Sequence, residues 1–300
     1  MEHWMALLVA ASVAIIVTVM LIYWLYVDSR DGILFRPIRT GIQKPTEPYI
    51  DKMLNQVHTR WFDRGHPTTL LFLHGNSGCL GNREYMIEFT RLIGTNLVLM
   101  DYRGYGESRG IPSISNMRED AVSVYDEMVK KYNPDDIVVM SESIGSASAS
   151  HLVAHRKVRL LLMLCGLSSF TSIYKHHAEG ASAVLSIAAK LSLPTIDKVA
   201  NSTLLQKSLC PVLFIHSRGD RLVPYECAEE NNDSLPHDKR LGILTIAGGH
   251  STPVLQQEHI RRILEILQLP TDRATTIEMD RWRDYMISVA SSIDFRVVDI

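Results

Sequence analysis

Residues 68–270 predict an open, mostly parallel β-sheet covered by helices on both faces. Short apolar runs recur along the segment: "TTLLFLH" (68–74), "NLVLMDY" (96–102), "DIVVMS" (136–141), "VRLLLMLC" (158–165), "PVLFIHS" (211–217) and "LGILTIA" (241–247). They lack alternation, as strands buried on both faces of a parallel sheet do. Helical patterns fall between them. Met117, Ala121, Val124, Tyr125, Met128 and Tyr132 share one face of 113–132. Such a β-α series defines the α/β class.

The flanking elements read as follows. Residues 28–67 are mixed in polarity and carry Pro37, Pro45, Pro48 and Pro67, so they read as a tether and lead-in. Residues 168–207 interrupt the rhythm with a helical, partly apolar stretch. Inserted after the fourth buried strand, it would cover the strands' carboxyl ends as a small lid. Ile260, Ile263, Leu264 and Leu267 place a helix over 255–267. The tail, 271–300, carries Met279, Trp282, Met286, Val289 and Ile293 on one helical stripe.

Residues 4–27 contain no charge. As a helix of about 1.5 Å rise per residue they would span roughly 36 Å, enough to cross a bilayer core of about 30 Å. Trp4 at one end and Tyr23, Trp24 and Tyr26 at the other suit the two interfaces. A cleaved leader would want a basic start and a shorter apolar run. A single-pass transmembrane helix is therefore expected. No Lys or Arg precedes it, whereas Arg30, Arg36, Arg39 and Lys44 follow. The positive-inside rule puts the body in the cytosol. A lumenal body is the alternative, and there the sequons at Asn201 and Asn232 would matter.

Composition narrows the rest. A 46% hydrophobic, 21% charged chain can build a sizeable core. The net charge of −2 gives no basic excess for nucleic acid. Cys79, Cys165, Cys210 and Cys227 have no metal-ligand spacing and read as free thiols. Neither a cofactor nor a metal is expected, and the oligomeric state is left open.

Ligands of α/β sheets bind at the carboxyl ends of the strands. The predicted strand ends carry His74-Gly75-Asn76-Ser77-Gly78, then Asp101 to Ser108, then Ser143, Asp220 and His250. Ser143 lies in Ser141-Glu142-Ser143-Ile144-Gly145, a strand-turn-helix sequence close to Gly-x-Ser-x-Gly, with Ser141 in the first glycine's place. Ser141 adds only a Cβ and a hydroxyl and is expected to be tolerated. Gly145 keeps the second position. His74, Asp101 and Arg103 are expected to brace loops, and His176-His177 to lie on the lid surface.

The segments "LFLHGNSG", "MDYRGYGES", "SESIGSA", "PVLFIHSRGDRLVP" and "GGHS", in that order over 68–270, are similar to the alpha/beta-hydrolase-fold serine hydrolases. More narrowly, they resemble the membrane-anchored alpha/beta hydrolase domain-containing proteins 12, 13 and 17. The resemblance implies Ser143 as nucleophile, Asp220 as acid and His250 as base. It also implies the backbone N–H groups of Asn76 and Ile144 as the oxyanion hole.

The implied activity is hydrolysis of acyl esters or thioesters near a membrane, with lysophospholipid, monoacylglycerol or palmitoyl-cysteine as substrate class. The alternative is a catalytically inactive hydrolase-like protein that binds a lipid or partner, a reading supported by Ser141.

Overall fold

The structure is a computed structural model, and it describes residues 35–39, 44–177 and 200–273. The chain divides into two units, Met1–Arg36 and Pro37–Ile300, and everything below belongs to the second. The expected transmembrane run (4–27), the middle of the expected lid (178–199) and the tail stripe lie outside the described residues. Among the described residues, no helix is long and apolar enough to cross a membrane.

Strands β1 (Ile50–Leu54) and β2 (Val57–Phe62) form a hairpin. Then follow β3 (Thr69–Leu73), α1 (Glu84–Ile93), β4 (Asn96–Met100), α2 (Ile114–Met128), β5 (Ile137–Glu142) and α3 (Ser146–His155). The chain continues with β6 (Leu160–Leu164), α4 (Phe170–His177), α5 (Asn201–Leu205), β7 (Val212–Ser217) and α6 (Glu226–Ser234). It closes with β8 (Arg240–Gly249), β9 (Thr252–Val254) and α7 (Gln257–Ile266).

Among the described residues the sheet order is β9-β8-β7-β6-β5-β3-β4-β2-β1. From β4 through β8 every pairing is parallel. The edges, β1-β2-β4 and β8-β9, are antiparallel.

The six predicted runs are β3 to β8. β3, β4, β6 and β7 are buried throughout, as their unbroken apolar character requires. Leu70, Phe72, Leu97, Leu99, Val138, Met140, Leu162 and Ile215 share one core cluster with Phe89 of α1 and Ile263 of α7. Helices α2 and α3 pack on each other, α5 packs on α3 and α6, and α2, α3 and α6 also touch the sheet.

The hairpin is a correction to the sequence reading, which placed 50–62 in a lead-in. Its pattern is masked by polar residues that are nonetheless buried. Arg60 donates to both Asp51 oxygens at 2.8 and 2.9 Å, and the Trp61 indole donates to Thr59 Oγ1 at 2.8 Å. Polar groups buried with such partners do not report burial through hydropathy.

Candidate active site

Ser143 follows β5 directly and opens a single 3₁₀ turn, Ser143–Gly145, that runs into α3. Its φ is +52°, in the left-handed region that non-glycine residues rarely occupy. Holding a serine there costs on the order of 1–2 kcal/mol. The surrounding backbone imposes it. A Cβ added at Gly145 would lie 2.3 Å from the Leu73 carbonyl oxygen and 2.7 Å from that of His74, so only glycine fits. Ser141 sits inside the sheet, opposite Leu73 and Met163, and is fully buried. Its hydroxyl has no hydrogen-bond partner among the described residues.

Three side chains that lie far apart in sequence meet at this turn. Ser143 Oγ lies 2.9 Å from His250 Nε2, and His250 Nδ1 lies 2.7 Å from Asp220 Oδ2. A carboxylate can only accept, so Nδ1 carries the proton and Nε2 is left to accept from the serine hydroxyl. Asp220 stands in the turn after β7. Its other oxygen, Oδ1, accepts the N–H groups of Leu222 and Val223 at 2.9 and 2.8 Å. Burial pushes this carboxyl up. The His250 hydrogen bond and charge, the Val223 N–H and His216 outweigh burial and hold the carboxyl below its ordinary value. His216, 3.6 Å from Asp220 Oδ2, is a neighbour that sequence reasoning did not single out. Being inside the strand run "PVLFIHS", it gave no signal of its own.

The acid and histidine loops are fastened to each other. Ser217 Oγ donates to the Gly248 carbonyl. A Cβ at Gly219 would lie 2.6 Å from the same oxygen, and one at Gly248 would lie 1.9 Å from the Thr252 oxygen. The β8-β9 hairpin, with Gly248 opposite Pro253 and Gly249 opposite Thr252, thereby carries His250 to Asp220.

The loop after β3 adjoins the serine turn, since a Cβ at Gly75 would lie 3.5 Å from Ser143 Cβ. Four consecutive carbonyls of this loop each accept from a side chain. Tyr102 donates to His74 O at 3.1 Å, His74 Nδ1 to Gly75 O at 2.7 Å and Tyr105 to Asn76 O at 2.8 Å. The Arg83 guanidinium donates to Ser77 O. His74 is packed between Tyr102 and Tyr105, with ring centroids 4.5 and 5.1 Å away. Burial, with the Arg83 charge beside it, pushes the His74 imidazole down to about 3, so it is neutral. With the carbonyls tied back, the orientation of this loop's peptide planes is set before any ligand arrives. Ile144, whose N–H was expected to share the oxyanion role with Asn76, is the residue after Ser143 and is buried.

Asp101 and Arg103 brace loops. Asp101 Oδ1 accepts the Leu80 N–H at 2.6 Å, and Arg103 is held by Asp120 at 2.6 Å. His176 is exposed on α4. Glu142, beside the serine, accepts from Tyr85 Oη at 2.8 Å, a contact with no sequence signal. The four cysteines are buried and free.

By sheet order and strand directions the chain has the alpha/beta hydrolase fold. A family model described as "Serine aminopeptidase, S33" matches residues 66–210. The chain resembles the ABHD proteins. It is 28% identical over 200 residues to lysophosphatidylserine lipase ABHD12 of Danio rerio, covering 60% of this chain and 50% of that one. It is 24% identical over 187 residues to the uncharacterized protein YfhR of Escherichia coli, covering 61% and 62%. The chain spans about half the length of the curated relatives it matches first. Among solved structures, the Pyrococcus furiosus esterase Pf2001 superposes with a TM-score of 0.61 at 17% identity, covering 78% of this chain and 97% of that one. At that identity the likeness speaks for the fold.

Proposed function

We propose that this chain is a membrane-anchored serine hydrolase that cleaves acyl esters or thioesters through an acyl-enzyme on Ser143. The observation that carries the reading is the pair of contacts from His250, 2.9 Å to Ser143 Oγ and 2.7 Å to Asp220. A serine hydroxyl is a weak nucleophile until a neighbouring base takes its proton. His250 Nε2 accepts that proton as Oγ attacks the acyl carbon. The imidazolium that forms is stabilised by Asp220 and returns the proton to the departing alkoxide or thiolate. Water then enters by the same route in reverse, with His250 as base, and releases the acid. The N–H groups of Asn76 and Ile144 stabilise the oxyanion, where one donor is typically worth about 3–4 kcal/mol.

The substrate class follows from two supports. One is the uncharged run 4–27, which would hold the site beside lipid. The other is the likeness to a relative named as a lysophosphatidylserine lipase. Lysophospholipids, monoacylglycerols and palmitoyl-cysteines are the classes to assay. The body is assigned to the cytosol by the charge rule. Asn201 lends the lumenal alternative no support: its side chain is buried and donates to Ser146 Oγ and to Leu167 O at 3.0 and 2.8 Å. A glycan there is incompatible with this packing. The lid assignment for 168–207 is part of the same proposal.

The test is labelling of the membrane fraction with a fluorophosphonate probe, followed by an ester, thioester and aminoacyl-amide panel. Labelling of the wild type and none of Ser143→Ala is expected. Equal labelling of the two would sink the assignment. Equal absence would favour the non-catalytic alternative that Ser141 suggests. Turnover of the amides alone would move the activity to the peptidase class.

A further inference from the structure

Cys165 stands at the carboxyl end of β6 and is buried. Its φ is +46°. A side chain at such a value is strained by about 1–2 kcal/mol, and glycine would relieve it. Non-glycine residues held this way concentrate at functional positions. The other one at a strand end beside the site is Ser143. The Cys165 N–H donates to Ile215 O at 2.9 Å, which ties the residue to the strand that leads to Asp220.

The thiol is placed among metal-binding atoms. Cys165 Sγ, a carboxylate oxygen of Asp220 and a ring nitrogen of His250 all lie within 4.8 Å of one another. Sulfur, imidazole nitrogen and a single carboxylate oxygen form the donor set of zinc and its borderline-soft neighbours. Magnesium and calcium want oxygen throughout. The charges balance as well: a dication, one thiolate and one carboxylate sum to zero, which suits a buried site. The sequence offered no hint of this, because the three residues stand far apart in the chain and match no ligand spacing.

We propose that a zinc-class dication binds Cys165 Sγ, the Asp220 carboxylate and His250 Nδ1, and that this binding reversibly switches off the hydrolase. One proton is released, that of the Cys165 thiol. Burial and the Asp220 charge push that thiol well up, so the metal must displace the proton. The imidazole stays neutral. Its proton passes from Nδ1, now a ligand, to Nε2. A protonated Nε2 cannot accept from Ser143, and the base is lost. Inhibition rests on the function proposed above, whereas binding does not.

The experiment uses the full-length chain, freed of metal, with ZnCl₂ and CoCl₂ as probes. Cys165→Ala and Cys165→Gly are the variants; the glycine suits the left-handed backbone and guards against a folding loss. The wild type should bind one cobalt ion with the near-ultraviolet absorption of a thiolate ligand. Hydrolysis of a short aryl ester should fall at the matching zinc concentration and recover with a chelator. In both variants the thiolate band should vanish and the zinc midpoint should rise about tenfold or more, each normalised to its own metal-free rate. Cobalt binding with the thiolate band in a chain that hydrolyses nothing would uphold the site and count against the hydrolase. Cobalt binding without the band, no binding, or a zinc midpoint unmoved in both variants would overturn the proposal.

Discussion

The Tyr105 hydroxyl donates to the Asn76 carbonyl oxygen at 2.8 Å, joining the loop after β4 to the loop after β3. The bond turns the Asn76 carbonyl toward a buried phenol, and Tyr105 itself is fully buried. Phenylalanine would keep the ring and remove the donor. Tyr105→Phe is expected to cost about 1 kcal/mol of stability, the ordinary worth of such a bond. If Asn76 supplies an oxyanion N–H, kcat should fall by roughly tenfold, less than for outright loss of a donor. KM should hardly move, because the interaction forms in the transition state. Steady-state kinetics on an ester substrate separates the two parameters. A rise in KM at constant kcat would assign Tyr105 to ground-state binding.

Ser141 predicts a gain rather than a loss. Its hydroxyl is buried with no partner among the described residues, and an unpaired buried polar group costs about 1–3 kcal/mol. Ser141→Ala keeps the Cβ, which the strand accommodates, and removes the hydroxyl. Stability should rise by about 1 kcal/mol, read as a higher denaturant midpoint at unchanged slope. Fluorophosphonate labelling should persist. A loss of labelling with the fold intact would give the hydroxyl a role in the turn.

Gly145 is the opposite case. A Cβ there meets backbone oxygen at 2.3 Å, and backbone cannot swing away as a side chain can. Gly145→Ala should cost about 3 kcal/mol, at the upper end for overpacking, and should abolish labelling by moving Ser143. Gly65 is the converse control: its φ is +75° with open space around its Cβ, whereas Gly145 has an ordinary helical φ of −57° and no space. Gly65→Ala should cost only about 1 kcal/mol. Thermal unfolding of both variants gives the comparison. A loss at Gly145 no larger than at Gly65 would mean that the Leu73 backbone gives way and the collision is relieved.

Much of this architecture was legible because buried parallel strands have no polar face to hide behind. Val139 and Leu161 are apolar because both sides of their strands are covered, so hydropathy locates β5 and β6 directly. Arg60 and His58 of β2 are buried as well, but their burial depends on Asp51 and on a chain turn that no local pattern encodes. The meeting of Ser143, Asp220 and His250 could be anticipated, because strand ends in one sheet share an edge. The ties around them could not. Tyr85 with Glu142, Ser217 with Gly248 and the thiol of Cys165 beside Asp220 depend on side-chain directions, which residue order does not carry.

His74 gives the fold a pH dependence with a definite sign. Its imidazole is fully buried, and burial with the Arg83 charge pushes it from 6.5 down to about 3. The folded chain therefore refuses a proton that the unfolded chain accepts. Stability from this group is complete above pH 6.5 and is lost as pH falls from 6.5 toward 3, by up to about 1.4 kcal/mol per pH unit. Of the other groups, His58 acts with the opposite sign and Asp220 with the same sign. His58 is raised: burial opposes its charge, but the nearby carboxylates of Asp101, at 3.7 Å, and Asp51, at 3.6 Å, prevail. It stabilises below 6.5 and loses that effect as pH rises through its folded value. Asp220 is lowered, so its contribution is present above 3.8 and fails as pH falls through its still lower folded value. Subtracting a variant isolates His74. His74→Gln keeps a donor for the Gly75 carbonyl and has no proton to gain. Urea unfolding of both chains between pH 4.5 and 7.5 should give a wild-type stability that falls more steeply with acidification, the difference growing below about pH 6.5. Parallel curves would mean that His74 takes a proton in the folded state, and the neutral clamp on the Gly75 carbonyl would have to be abandoned.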